Sequence, residues 1–266
     1  MPAYMKLIIL AAGEGTRLKH LTTHLPKGML PFNGKPIVEW QIMMARKCGI
    51  EDIVIVIGFE KDKISFKGVK YYHNADYSTT NMVESLFCAE EELNGDVIVS
   101  YADILYEERL LQKVIASSSS IGVAVDMDWT KYWRERYGTV DHDLESLTLN
   151  GDKIIELGKE NPPVEAIDAR YIGLTRFNKS GLETLKSTYY RYKREYTGQV
   201  WQQSGKTFEN AYMTDMLNQI LEDGHSIKAI KSEGGWLEFD TVEDYEFSKK
   251  VLEDVKYQFI FNFASW

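Results

Sequence analysis

Apolar residues in the first part of the chain come in short unbroken runs, joined by stretches with helical spacing. Lys6 to Leu10 and Ile53 to Ile57 read as buried strands. Between them, Ile37, Trp40, Met44 and Cys48 recur at helical intervals over Pro36 to Cys48, and Gly49 stands where a helix stops. Strand, helix, strand in this span is a βαβ unit and predicts a parallel sheet in an α/β fold. The alternation continues. Val69 to His73, Asp96 to Ser100 and Gly122 to Val125 read as strands, with helices over Asn81 to Leu93 and Leu110 to Ala116.

After Asp126 the texture changes. Residues 128 to 170 are rich in Trp, Tyr, Arg and acidic side chains, with a hairpin expected at Asn150-Gly151, so 126–170 reads as an inserted lid. Tyr171 to Phe177 then resumes a strand. Helices follow over Lys179 to Tyr192 and Met213 to Glu222, the latter ended by Gly224. Ile227 to Ile230 is strand-like and Val242 to Val255 a closing helix. The expected organisation is one domain over 1–256 with an aromatic tail at 257–266. That tail could cap the core, form a subunit contact or be the cut end of a longer chain.

Composition narrows the partners more than the fold. The 266 residues are 44% hydrophobic and carry a formal charge of −9, which argues against a broad nucleic-acid surface. A local cation cluster can still hold a small anion inside an acidic protein. Cys48 and Cys88 lie in helix-like stretches without metal-ligand spacing and read as reduced core residues. The Leu7–Ala12 run is too short for a signal peptide, and no run nears the ~20 apolar residues of a membrane span. The expectation is a cytoplasmic protein with no membrane insertion, with a homo-oligomer left open.

The chemistry begins directly after the first strand, at Leu10-Ala11-Ala12-Gly13-Glu14-Gly15-Thr16-Arg17-Leu18. Gly13 and Gly15 let backbone N–H groups approach phosphate oxygens, and Arg17 adds an always-charged fork suited to a triphosphate. The loop lacks the Gly-Lys-Ser/Thr ending of a P-loop, and Leu18 replaces the third glycine of a dinucleotide fingerprint. Lys27, in Leu25-Pro26-Lys27-Gly28-Met29-Leu30-Pro31, sits between proline-stiffened segments, a good place for a positioned cation. A plain glycine turn and an exposed loop lysine are the ordinary alternatives.

With both motifs, the sequence resembles the nucleotidyltransferase superfamily that makes nucleotide sugars and CDP-activated head groups. That family pairs Leu-Ala-Ala-Gly-x-Gly-Thr-Arg-Leu with a following Pro-Lys, here 10–18 and 26–27, and the likeness runs to about residue 250. The resemblance implies a Rossmann-like, predominantly parallel mixed sheet flanked by helices, with nucleotide at the strands' C-terminal ends. It implies Mg²⁺ held by Asp103 and Asp240, a base pocket at Asn81, Ser85 and the backbone of Leu10, Ala11 and Ala102, and catalytic roles for Lys27, Arg17 and Lys159. Lys159 would hold the acceptor's phosphate.

Details lean toward the branch of bacterial phosphocholine, 2-aminoethylphosphonate and phosphoglutamine cytidylyltransferases. The segments carrying this are Ala211–Leu217, Gly234–Asp240, Asp126–Trp133 and Ile155–Lys159. The expected partners are CTP and a small phosphorylated or phosphonate acceptor bearing an amine. Trp129, Trp133, Tyr171, Trp201, Tyr212 and Trp236 are candidates for an aromatic wall around that amine, against the alternative that they are core. Asp168, Glu145 and Asp215 are candidates for its facing carboxylate. A sugar-1-phosphate uridylyl- or thymidylyltransferase shares the first two motifs, and a silent nucleotide-binding regulatory module would keep the fold without catalysis.

Overall fold

The computed structural model describes residues 5–263. The first strand, β1 (Met5–Ala11), is followed by the glycine loop, a small hairpin β2 (Pro31–Phe32) and β3 (Lys35–Pro36), and helix α1 (Ile37–Lys47). Then come β4 (Asp52–Ile57), β5 (Lys70–His73), α2 (Met82–Cys88), β6 (Asp96–Tyr101), β7 (Ile104–Tyr106), α3 (Glu108–Ala116) and β8 (Ile121–Asp126). Residues 126–170, read from the sequence as an insertion, contribute α4 (Trp129–Tyr137), β9 (Glu145–Asn150) and β10 (Lys153–Glu160). The chain closes with β11 (Arg170–Phe177), α5 (Lys179–Tyr196), α6 (Met213–Glu222), β12 (Ile227–Ser232), β13 (Trp236–Glu238) and α7 (Val242–Glu253).

Nine strands form one sheet in the order β5-β4-β1-β6-β11-β8-β12-β10-β9. Pairing is parallel across β5, β4, β1 and β6 and again between β8 and β12. The reversed strand β11 stands between β6 and β8. The expected hairpin turns at Gly151, and its two strands extend the sheet past β12.

Both faces of the central strands are covered, so they read as unbroken apolar runs. Along β1 and the residue after it, Leu7, Ile9 and Ala11 join one core cluster while Ile8, Leu10 and Ala12 join the other. The first cluster takes in α1, α3, α4 and α7, the second α2, α5 and α6. The tail belongs to the first as far as Phe263. Ile260 and Phe261 are buried, Gly235 N–H donates to Ile260 O at 2.7 Å, and Asn262 N–H donates to Glu107 at 2.7 Å. Capping the core is thus what the described part of the tail does, and residues 264–266 lie outside the described range. Both cysteines are free, and Cys88 is exposed, which corrects its reading as a core residue.

Two features depart from the regular ladders of the sheet. β11 carries extra residues between Tyr171 and Thr175 relative to its partner β8, a bulge that re-aims side chains. Gly173 lies in it at φ +80°, with the Tyr101 ring so close that a Cβ would meet Cδ2 at 2.6 Å. The other is the short ladder β13–β7, whose register pairs Glu238 with Ile104.

Candidate active site

The glycine loop leaves β1 beside the end of β6, as Ala102 N–H donates to Leu10 O at 3.2 Å. A cavity of about 230 Å³ opens there, at the C-terminal ends of β1 and β6. Leu10, Ala11, Ala12, Gly13, Gly15, Thr16 and Arg17 form one wall, and Asn81, Ser85 and Ala102 another. Asn81 caps α2 by accepting from Met82 N–H at 2.9 Å, and Ser85 Oγ accepts from the Asn74 amide at 2.9 Å. Glu14, although inside the motif, is not among the lining residues. Tyr77, Thr80, Met82, Tyr101 and Gly28 line it as well. Gly28 belongs to the Pro-Lys segment, and the other four carry no motif of their own, although Thr80 and Met82 flank Asn81 in sequence.

Lys27 closes the floor. Its ammonium donates to Asp103 at 2.6 Å and to Asp240 at 2.5 Å, and Arg17 Nη1 pairs with the other oxygen of Asp240. Burial disfavours the Lys27 charge, but the two carboxylates outweigh it and hold its pKa above the ordinary lysine value. Burial pushes the Asp240 carboxyl above its usual value, with Lys27 pulling the other way. Asp103 Oδ1 is buried with no hydrogen-bond partner among the described residues. The β13–β7 ladder makes this meeting possible, because it continues as Phe239 N–H donating to Asp103 O at 2.9 Å, which sets Asp240 beside Asp103. Gly15, at φ +65°, is the other requirement: a Cβ there would meet Lys27 Cβ at 2.9 Å.

A second cavity of about 340 Å³ shares Arg17, Met82, Tyr101, Asp103 and Asp240 with the first. The β11 bulge supplies Tyr171, Ile172 and Gly173, preceded by Arg170. Glu145 opens β9, Glu160 ends β10, and Tyr212 and Thr214 start α6. Burial raises the Glu145 pKa above its ordinary value, against the pull of Arg170 and of a Thr214 hydrogen bond. Arg170, Glu160, Asp143 and Thr214 are site residues that sequence reasoning missed. The available signal was an arginine opening the apolar run Tyr171–Leu174.

Several expected acceptor residues are elsewhere. Trp129, Trp133 and Trp236 are buried with Tyr132 in an edge-on aromatic cluster, and Trp236 Nε1 donates to Asp126 at 2.9 Å. Trp129, Tyr132 and Trp133 occupy one helical face of α4, the spacing of a core stripe. Trp201 packs on Phe208 and Tyr192 in the opposite core. Asp215 is buried as the capping-box residue of α6, accepting from Tyr212 N–H at 2.9 Å. Asp168 is exposed and accepts from Leu149 N–H at 2.7 Å. Lys159 is exposed and lines neither cavity. Neighbouring strand side chains face opposite ways, and here Glu160 takes the cavity side.

Among the described residues no cluster of three or more His, Cys, Asp or Glu side chains could hold a metal, and no helix is long and apolar enough to cross a membrane. Residues 7–135 match the family model of the MobA-like NTP transferase domain. A CTP:phosphoglutamine cytidylyltransferase of Campylobacter jejuni is 35% identical over 253 residues, covering 91% of this chain and 98% of that protein. A choline-phosphate cytidylyltransferase of Streptococcus pneumoniae is 33% identical over 150 residues, 55% of this chain and 64% of that protein. The solved structure of a CTP:phosphocholine cytidylyltransferase from the same species superposes with a TM-score of 0.71 at 23% identity, over 93% of this chain and 99% of that one, a likeness of fold. The chain belongs to the nucleotidyltransferase superfamily, on the branch of bacterial phosphoglutamine and phosphocholine cytidylyltransferases.

Proposed function

We propose that the protein transfers CMP from CTP to the phosphate or phosphonate of a small amine-bearing acceptor and releases pyrophosphate, with Mg²⁺ as the cation. The observation that carries this is the junction of the two cavities, where Arg17, Lys27, Asp103 and Asp240 converge. The first cavity has the glycine loop and cations that a nucleoside triphosphate needs. The second has the carboxylates and tyrosines that suit an amine. The relatives' activities supply the base and the acceptor class.

A phosphate monoester is mostly dianionic at pH 7, its second pKa being ~6, so the nucleophile needs no general base. An acceptor oxygen attacks the α-phosphorus, a new P–O bond forms, and the bond to the β-phosphate breaks with its electrons going to pyrophosphate. The chain holds the two anions together in line and meets the negative charge that grows on the leaving group. Lys27 and Arg17 do the latter, and the amide of Asn81, beside Ser85, faces the base.

The donor set fits a divalent cation. Asp103 and Asp240 offer oxygen ligands, Asp103 Oδ1 is buried and unpartnered among the described residues, and Mg²⁺ commonly takes one or two carboxylates with waters and substrate phosphates. When bound, the cation would neutralise charge on the phosphates.

Pyrophosphate release, measured with Mg²⁺ for CTP, UTP, dTTP and ATP against amino-phosphates, amino-phosphonates and glucose 1-phosphate, tests the reading. The expected turnover is confined to CTP with an amine-bearing acceptor. Turnover only with UTP or dTTP and glucose 1-phosphate would overturn it.

A further inference from the structure

Helix α1 buries an apolar face, and an amide sits within it. Ile37, Val38, Ile42, Met44 and Ala45 are buried there, and so is Gln41, at 0% exposure. A buried amide destabilises a core unless its hydrogen bonds are met, and a methionine would fill the same space without that penalty. Here the bonds are met at one place. Gln41 Nε2 donates to Tyr101 O at 2.8 Å and to Ile104 O at 2.5 Å, which uses both of its N–H groups. Its oxygen, Oε1, accepts from Ser100 Oγ at 3.4 Å.

Tyr101 ends β6 and Ile104 opens β7, so one side chain ties both ends of the turn formed by Ala102 and Asp103. The turn is pinned in between as well. Ala102 N–H donates to Leu10 O, and Asp103 O accepts from Phe239 N–H. The Asp103 carboxylate is less tied: Oδ2 meets Lys27, and Oδ1 is buried without a hydrogen-bond partner among the described residues. Its place is therefore set by the backbone beneath it. Val38, one helical turn before Gln41, packs against Gly28, where a Cβ would meet Val38 Cγ2 at 2.5 Å. Helix α1 thus supports the segments of both Lys27 and Asp103.

Resting on the cytidylyltransferase reading above, we propose that Gln41 is a positioning residue of the reaction, holding the Asp103 turn in the geometry a divalent cation needs. Mg²⁺ demands near-ideal octahedral coordination at about 2 Å, so a carboxylate free to shift binds it poorly. Groups that orient a metal ligand from behind typically carry about 10- to 100-fold in metal affinity or activity. Gln41 lines neither cavity, so it acts through the turn alone.

The test is a binding measurement. Calorimetric titration with α,β-methylene-CTP, once in Mg²⁺ and once in EDTA, gives the gain in affinity that the cation brings. Gln41→Met, which keeps the volume and removes the donors, reduces that gain by about 10-fold relative to the wild type and leaves the affinity in EDTA in place. The Mg²⁺ concentration for half-maximal CTP turnover rises by the same factor, with KM for the acceptor unchanged. Gln41→Asn keeps an amide but withdraws it from the two carbonyls. It shows a smaller reduction, and it carries the test if circular dichroism finds the methionine variant unfolded. Ile42→Ala, which opens a cavity on the same helix, lowers the melting temperature without changing the gain. A full Mg²⁺ gain in folded Gln41→Met, with wild-type CTP turnover, overturns the proposal and leaves the cytidylyltransferase reading standing. An equal reduction in Ile42→Ala also overturns it, since softening of the core would then suffice. A wild type that binds the analogue equally well in Mg²⁺ and EDTA overturns the cation site and this proposal together.

Discussion

Replacing Lys27 with methionine is expected to lower kcat for CTP by about 10²- to 10³-fold, the usual cost of losing one preorganised charge at a leaving group. Lys27 donates to both Asp103 and Asp240, and it does so inside the cavity proposed for the triphosphate. Its ammonium bridges the two carboxylates, and its side chain lies against Gly15 of the glycine loop. The methionine keeps much of the side chain's volume, so the loss is electrostatic. A second readout separates charge from shape. Without Lys27 the two carboxylates lose the cation between them, so Mg²⁺ should raise the melting temperature of Lys27→Met more than that of the wild type. Steady-state kinetics and thermal melts with and without Mg²⁺ check both. Unchanged kcat in a folded variant would remove Lys27 from the mechanism.

Arg136→Met is expected to destabilise the fold by about 3–5 kcal/mol, the range for removing one partner from a buried ion pair. The Arg136 side chain is 1% exposed, and it donates to Glu238 at 2.7 Å and to Asp244 at 2.6 Å. Its guanidinium also lies near the rings of Tyr132, Trp133 and Tyr137. Asp244 in turn accepts from Asp240 N–H at 3.2 Å and Thr241 N–H at 2.8 Å, in the capping box that starts α7. Arg136 therefore ties α4 to the loop that carries Asp240. Urea denaturation would show the loss as a lower midpoint. Arg136→Lys keeps a charge without the fork and should lose less than the methionine but more than nothing, since a lysine cannot serve both carboxylates in the same plane. Stability of Arg136→Met within about 0.5 kcal/mol of wild type, the scale of an ordinary surface change, would contradict the role.

Much of this was legible in the chain because local rules governed it. The strands β1, β4 and β6 are apolar on both faces, and the Gly-x-Gly loop and Pro-Lys segment, which line one cavity, stand out in local sequence alone. The partnership of Asp103 with Asp240 was available only through the family resemblance. It depends on the β13–β7 register, which joins distant segments and leaves no periodic trace. The aromatic residues misled for a physical reason. A tryptophan on a helix is apolar whether it faces a ligand or a core, and the Trp129, Tyr132, Trp133 spacing that marks a core stripe was outweighed by their company of charged neighbours. Asp215 and Asp168 were hidden in a similar way, since a carboxylate that caps a helix or takes a backbone N–H looks the same in sequence as one that binds an amine. Arg170 and Glu160 gain their meaning from the bulge in β11 and the β9–β10 register, both products of tertiary pairing.

The most direct test of CMP transfer is a ³¹P NMR time course of the wild-type protein with CTP, Mg²⁺ and phosphoglutamine or O-phosphoserine. The expected result is loss of the triphosphate resonances with equal rise of free pyrophosphate and of a new pair of coupled diphosphate signals from the CMP–acceptor product. Release of inorganic phosphate without that coupled pair, or an unchanged spectrum while glucose 1-phosphate and UTP react, would contradict it.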